Sequence, residues 1–174
     1  LQGPFSHTRP GRLDSGREIY SKSAMASSNI VFSLKLLQLM PNGLGGIALA
    51  LDPLHGKATP HFRANGYPRQ SPFILGCWKL TQTVLNWVDG GRYMFIAQLM
   101  LGMQLGGACY THLVVERKGA SSCIAPAAFM LTGCAVQILI SSTSWAFALA
   151  VQCAAHALGY AAGYAVTSIG HAPK

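Results

Sequence analysis

Apolar and polar positions along this chain fall into long blocks. Residues 93–115, YMFIAQLMLGMQLGGACYTHLVV, run for about 23 positions without one Asp, Glu, Lys or Arg. As a helix rising about 1.5 Å per residue, such a run reaches about 34 Å, enough to cross a hydrocarbon core of about 30 Å. Arg92 stands at one end and Glu116, Arg117 and Lys118 at the other, so charge resumes where headgroups would begin. Residues 145–169 form a second uncharged run, just as long. Such a pair in so short a chain predicts a membrane protein rather than a soluble domain with one buried helix.

Three more apolar blocks complete the pattern. Residues 30–51 carry Lys35 near their start, where its amine can snorkel to the interface. Pro41-Asn42-Gly43 sits in the middle and predicts a kink or an interruption, because proline removes a backbone hydrogen bond. Residues 53–72 hold Pro60, Gly66 and Pro68 and read as a polar loop with a short surface helix. Residues 73–88 scatter Lys79, Gln82 and Asn86 among apolar positions, which suits a short tilted span with an inward polar stripe or an interfacial helix. Trp78 and Trp87 near its two ends favour the span. Asp89-Gly90-Gly91 predicts a tight turn, residues 123–140 cross again, and Ser141 to Ser144 turn the chain into the last helix, ending at Gly170.

Residues 1–29 differ in kind. They are polar, rich in Ser, Gly and Arg, contain Pro4 and Pro10, and show no apolar period. This predicts an extended tail held by a partner protein. Its Arg and Ser content hints at an organellar targeting region, and no secretory signal core is present in it. The expected fold is therefore all-α: a polytopic membrane helix bundle of four to five transmembrane helices over residues 30–170, behind an extended polar N-terminal tail over residues 1–29.

Composition sharpens this picture. With 51% apolar and only 10% charged residues, the surface suits lipid rather than water. The net charge of +8 raises nucleic acid as a partner, but the basic residues lie in the tail and in loops beside apolar runs, where they contact lipid headgroups or partner subunits instead. They are balanced between the two faces, so they set no orientation. The five cysteines form no Cys-x-x-Cys pair and mostly lie inside apolar runs as small buried side chains. Cys123 is the exception, a thiol near a membrane surface with redox potential. No paired carboxylates, nucleophile with its base, phosphate loop or metal spacing stands out, so no catalytic or metal site is expected.

Two helices carry small-residue seams. Gly102 and Gly106 are one turn apart, and Ala155, Gly159, Gly163 and Thr167 repeat at the same spacing. Spacing of four puts each set on one face, where another backbone can approach. Within the second seam lies His156, with Gln152 one turn before it. An imidazole at membrane depth requires a partner. Hydrogen bonding to glutamine or backbone is the plain reading. Axial ligation of a chlorophyll by His156 or Gln152 is the sharper one, since small neighbours leave room for a macrocycle. A b-type haem fits less well, because His112 lies too near a helix end to supply a second ligand. Gln98, Gln104 and Gln137 are expected to join helices by hydrogen bonds.

Residues 53–140 resemble the DoxX-like family of small membrane proteins. The likeness rests on Gly66-Tyr67-Pro68 ahead of a helix, Gly107-Ala108-Cys109-Tyr110-Thr111-His112 closing the next, and Ala125-Pro126 opening another after a short charged loop. The resemblance implies a compact four-helix membrane bundle, in a family with links to quinone-coupled sulfur oxidation and oxidative-stress complexes. The interrupted first helix, the extra last helix and the long tail depart from that pattern.

These features favour a non-catalytic accessory subunit of a large organellar membrane complex, surrounded by other membrane-protein subunits and lipids. A photosystem-type assembly in a thylakoid membrane comes first, with bound chlorophyll or lipid. A mitochondrial respiratory or ATP synthase complex comes next. The alternative is a DoxX-like redox protein handling quinone or thiols.

Overall fold

The computed structural model describes residues 14–88 and 91–170, with side chains for 27–88 and 91–169. Described residues are helical or in short connections, with no strand among them. In chain order they are α1 (Asp14–Leu39), a π-turn (Met40–Leu44), α2 (Gly45–Ala50), α3 (Asp52–His55), α4 (Thr59–Ala64), α5 (Ser71–Trp87), α6 (Gly91–Tyr110), a second π-turn (Thr111–Val115), a 3-10 turn (Ala120–Cys123), α7 (Ile124–Ser141) and α8 (Trp145–Gly170). The turn expected at Asp89 and Gly90 lies outside the described residues, as do residues 1–13 of the tail.

One expectation for the amino-terminal half is corrected. The segment read as extended is helical from Asp14 onward. Pro4 and Pro10 both precede that point, and residues 14–29 are free of proline and supply Glu, Lys, Met and Ala. Once residues 30–39 have nucleated a helix, each further residue adds a backbone bond at little expense, so the helix grows backward without an apolar period of its own. At Pro41 the α-helix is interrupted, as expected, although the chain stays helical. In regular α geometry its ring would collide with the Leu37 carbonyl. The helix widens instead into the π-turn Met40–Leu44 and continues into α2. Two carbonyls at the π-turn accept side chains: Asn42 Nδ2 donates to the Gln38 carbonyl at 3.0 Å, and Lys79 Nζ to the Pro41 carbonyl at 3.2 Å.

Three helical stretches are long and apolar enough to cross a membrane: Ser27–Ala50, Ala120–Ser141 and Trp145–Ile169. The run at residues 93–115, expected to be the surest span, is not among them, and neither is the segment at 73–88. The reasons are physical. Helix α5 has only 17 residues. Helix α6 carries Gln98 and Gln104 and lies at the centre of the bundle, packed on α5, α7 and α8. A helix surrounded by other helices need not be uniformly apolar. Large apolar side chains face outward instead, among them Phe32, Leu131, Trp145, Phe147 and Leu158, each about half exposed or more.

Glycines set how closely these helices approach. A Cβ on Gly106 would overlap the backbone carbonyl of His156, and one on Gly159 would overlap that of Met103. On Gly102 it would fall 2.6 Å from Gln152 Oε1 and 2.9 Å from the Ala155 Cβ, and on Gly163 2.8 Å from the Tyr110 ring. Thus α6 and α8 meet backbone to backbone. Gly76 of α5 repeats the device against Leu49 and Ala50. The short connection between α2 and α5 is pinned by Asp52. Its carboxylate accepts the Ala58 and Thr59 amides at 2.5 and 3.0 Å and the Thr59 hydroxyl. The hydroxyl bond, with the amide bonds and His55, holds the Asp52 carboxyl below its usual range despite burial. The chain carries two short helices here, α3 and α4, where one was expected.

Neighbouring glycines test the packing. Beyond Gly107 the nearest atom to an added Cβ is 3.6 Å away, ordinary contact. Gly106→Ala is expected to destabilise the bundle by about 1–3 kcal/mol, and Gly107→Ala by little. Unfolding midpoints in detergent check this, and equal midpoints for the two variants would remove the backbone contact from the account.

Candidate functional site

The interior of the bundle is polar without being charged. Gln38 on α1 lies at its centre. Its Nε2 donates to Gln98 Oε1 at 3.0 Å and to Thr132 Oγ1 at 3.1 Å. Its Oε1 accepts from Asn86 Nδ2 and Gln98 Nε2, each at 3.1 Å. Gln98 also donates to Asn86 Oδ1 at 2.9 Å, and Gln152 Nε2 donates to the Gln98 carbonyl at 3.0 Å. One turn along, Gln104 Nε2 reaches Asn42 Oδ1 at 3.0 Å. Five helices, α1, α5, α6, α7 and α8, are thereby joined through amides and one hydroxyl. Each such bond between membrane helices is worth roughly 0.6–2 kcal/mol. An amide both donates and accepts, so it can be satisfied by its own kind without the desolvation penalty of a charge.

The residues singled out in the sequence take distinct places. Gly102 and Gly106 face Ala155 and Gly159 across the α6–α8 contact, while Gly163 and Thr167 receive Tyr110, whose hydroxyl lies 2.7 Å from Thr167 Oγ1. Gln152 is fully buried, wedged between Gly102 and Gly133, with an added Cβ on the latter falling 3.1 Å from its Nε2. No macrocycle fits at that carboxamide. His156 is half-buried at the margin of the same contact, and its Nδ1 is buried without a hydrogen-bond partner. Gln82 and Asn86 point inward from α5, almost completely buried. Lys35 lies over the Trp87 ring, 5.1 Å from its centroid. A crevice lined by Lys35, Gln38, Asn42, Gln82, Asn86 and neighbours separates α1 from α5, too narrow as it stands for a water molecule.

Gln38, Asn42 and Gly133 were not anticipated. The first two were signalled by spacing, since polar residues four apart inside an apolar run share one helical face. Gly133 became informative only once its neighbour Gln152 was placed.

A second polar region caps one end of the bundle. Glu116 gathers Lys118 at 2.9 Å, His112 at 2.6 Å and His61 at 3.3 Å. Tyr67 Oη meets Thr111 Oγ1 at 2.5 Å, tying the polar connection to the end of α6, and burial raises the Tyr67 hydroxyl above its usual range. The α6 extension closes here, with the Lys118 amide reaching back to the His112 carbonyl at 2.8 Å. Arg117 occupies the left-handed position of that closure, φ 53°. Glycine usually serves there, and a side chain costs about 1–2 kcal/mol. Beside it lies an open hollow of about 420 Å³, lined by Ala64, Asn65, Tyr110, Val114, Val115, Arg117, Thr167 and Ser168. Cys109 and Cys123 also lie near one another at this end. No group of three or more His, Cys, Asp or Glu suited to a metal occurs among the described residues.

Comparison of the chain with protein-family models, with curated proteins and with solved structures returns no match.

The Glu116 cluster makes a pH-dependent contribution. The hydrogen bond from Lys118, and then that from His112, hold the Glu116 carboxyl below its ordinary value of 4.5. Its folded pKa is thus depressed, so its stabilisation is present above that ordinary value and is lost as pH falls through the folded one. Glu116→Gln is expected to lower the unfolding midpoint at pH 7, with the deficit shrinking below about pH 4.5 and vanishing at the acid end. Midpoints measured from pH 7 to pH 2.5 decide it. A deficit independent of pH would assign the effect to lost packing rather than to charge.

Proposed function

We propose that this chain is a non-catalytic membrane subunit that takes its place in a larger assembly through the outer faces of its long helices. One observation carries the reading: Gln38, Asn86, Gln98, Thr132 and Gln152 are hydrogen-bonded into one network across five helices, while the large apolar side chains point outward. An interior of that kind supports rigidity rather than turnover. An apolar exterior suits lipid and neighbouring subunits. An organellar complex remains the preferred setting, a photosystem-type assembly in a thylakoid membrane before a mitochondrial respiratory or ATP synthase complex. In the first setting His156, half-buried, is the candidate chlorophyll ligand through the ring nitrogen other than its buried Nδ1, and Gln152 is withdrawn from that role by its burial.

Extraction of the full chain in mild detergent is expected to recover it with other membrane proteins, in a particle larger than a single bundle. Recovery of the lone chain from every extraction would count against the subunit reading. Within a recovered assembly, His156→Leu is expected to lose one pigment while the assembly persists. An unchanged pigment content removes the ligand role and leaves the subunit reading standing.

The Cys109–Cys123 contact favours a second reading, the DoxX-like thiol protein. Both thiols are free. Their oxidation to a disulfide would release two protons and pass two electrons to an added oxidant such as diamide. Treatment of the purified chain with diamide, followed by peptide mass spectrometry, is expected to show a Cys109–Cys123 link on this reading. Persistence of both free thiols removes it.

A further inference from the structure

The hollow at the end of the bundle has the make-up of a site for an anionic phosphate group. It sits where the stretch Trp145–Ile169 ends, at the level expected for headgroups. One wall is apolar, from Val114 and Ala64. The other is polar, from Arg117, Asn65, Thr167 and Ser168. Its volume of about 420 Å³ falls within the range of small-ligand sites, about 300–1,000 Å³.

Charge at this end is arranged unevenly. Glu116 is engaged by Lys118, His112 and His61. Arg117 lines the hollow and makes no hydrogen bond or ion pair with the described residues, so its guanidinium donors are uncommitted. Its guanidinium matches a phosphate oxygen pair in shape and charge. Asn65 donates one amide hydrogen to the His61 ring in one tautomer and has a second to offer. Ser168 spends its hydroxyl proton on the Tyr164 carbonyl at 2.8 Å, so it serves as an acceptor only.

The backbone supplies an independent argument. Arg117 holds a left-handed conformation, φ 53°, in which glycine would fit without strain. The fold alone therefore gives no reason for a long cationic side chain at this position. From the hollow, its uncommitted guanidinium and this unfavoured backbone, we infer that the site binds a phosphate-bearing anion, with Arg117 as its principal ligand. Two sources share that chemistry, the headgroup of an anionic phospholipid and free phosphate. The apolar wall and the exposed Tyr164 and Ile169 nearby would lie along the acyl chains of the former.

The test uses the full chain in neutral-detergent micelles, following its unfolding midpoint as dioleoyl phosphatidylglycerol, dioleoyl phosphatidylcholine or inorganic phosphate is added. Wild-type protein is expected to respond to phosphatidylglycerol at a tenfold lower mole fraction than to phosphatidylcholine. Arg117→Gln and Arg117→Gly are each expected to weaken that response at least tenfold. Arg117→Lys keeps most of it. Arg117→Gly is also expected to show a lipid-free midpoint no lower than wild type, which separates binding from folding. Displacement of the lipid effect by millimolar inorganic phosphate assigns the site to free phosphate, and no displacement assigns it to lipid. Equal responses to the two lipids with no response to phosphate, or an undiminished response in both Arg117→Gln and Arg117→Gly, overturn the inference.

Discussion

The contact on which the rest of this structure depends is the approach of α6 to α8. At Gly106 and Gly159 each helix lays bare backbone against the other, with no space for a β-carbon. Lipid tails are as apolar as leucine, so burial of leucine gives membrane helices little reason to associate. Close backbone packing replaces it, through many short-range dispersion contacts. The same approach brings Gln152 within reach of the Gln98 carbonyl and Tyr110 within reach of Thr167. A wider separation would leave both buried groups unpaired, at about 1–3 kcal/mol each. Helix separation and polar satisfaction are therefore one constraint.

Given that separation, the interior can be polar. Gln38 is bonded to Gln98, Asn86 and Thr132, so residues far apart in the chain become mutually dependent. Carboxylates or ammonium groups in the same positions would have to titrate or pair, with a desolvation penalty of several kcal/mol per ion. Amides avoid this and still demand geometry, which favours one arrangement of helices over near alternatives. The arrangement also explains why α6, within a long uncharged run, falls short as an apolar span. Its glutamines serve the interior, and the stretches at 27–50, 120–141 and 145–169 are the ones long and apolar enough to cross a membrane.

Much of this was legible in the sequence, and the remainder was not for identifiable reasons. Long uncharged blocks predict helices, and the helices lie where the blocks are. The spacing of Gly102 with Gly106, and of Ala155 with Gly159 and Gly163, defined the faces that the structure sets together. The inward stripe on α5, Gln82 and Asn86, was readable from its isolation among apolar residues. What failed was local inference about boundaries. Helix growth back to Asp14 follows from cooperativity, not from an apolar period. Around Pro41 the helix widens into a π-turn whose Gln38 and Pro41 carbonyls accept Asn42 and Lys79, and no local rule contains the second of these, which comes from another helix. The hollow draws on residues near positions 65, 110, 117 and 168, so it exists only after the bundle has closed.

The two polar regions answer to different demands. In the centre Gln38, Asn86, Gln98 and Gln152 are constrained by the helices they join, so residue choice there follows packing. At the end of α6 the demand of the fold is met by backbone alone, through the Glu116 and Lys118 amides bonding back to Thr111 and His112. That closure asks for a residue tolerant of a left-handed conformation and for nothing from its side chain. Arg117 is among the less suitable answers to that request, whereas the neighbouring Glu116 and Lys118 satisfy each other at 2.9 Å. The same logic finds no use for Ser142, whose left-handed backbone, φ 52°, caps α7 away from either polar region. Serine there is small and exposed, and its cost buys no contact that the structure shows. Backbone strain alone thus does not mark a site. It becomes informative at Arg117 because an uncommitted charge and an open hollow coincide with it.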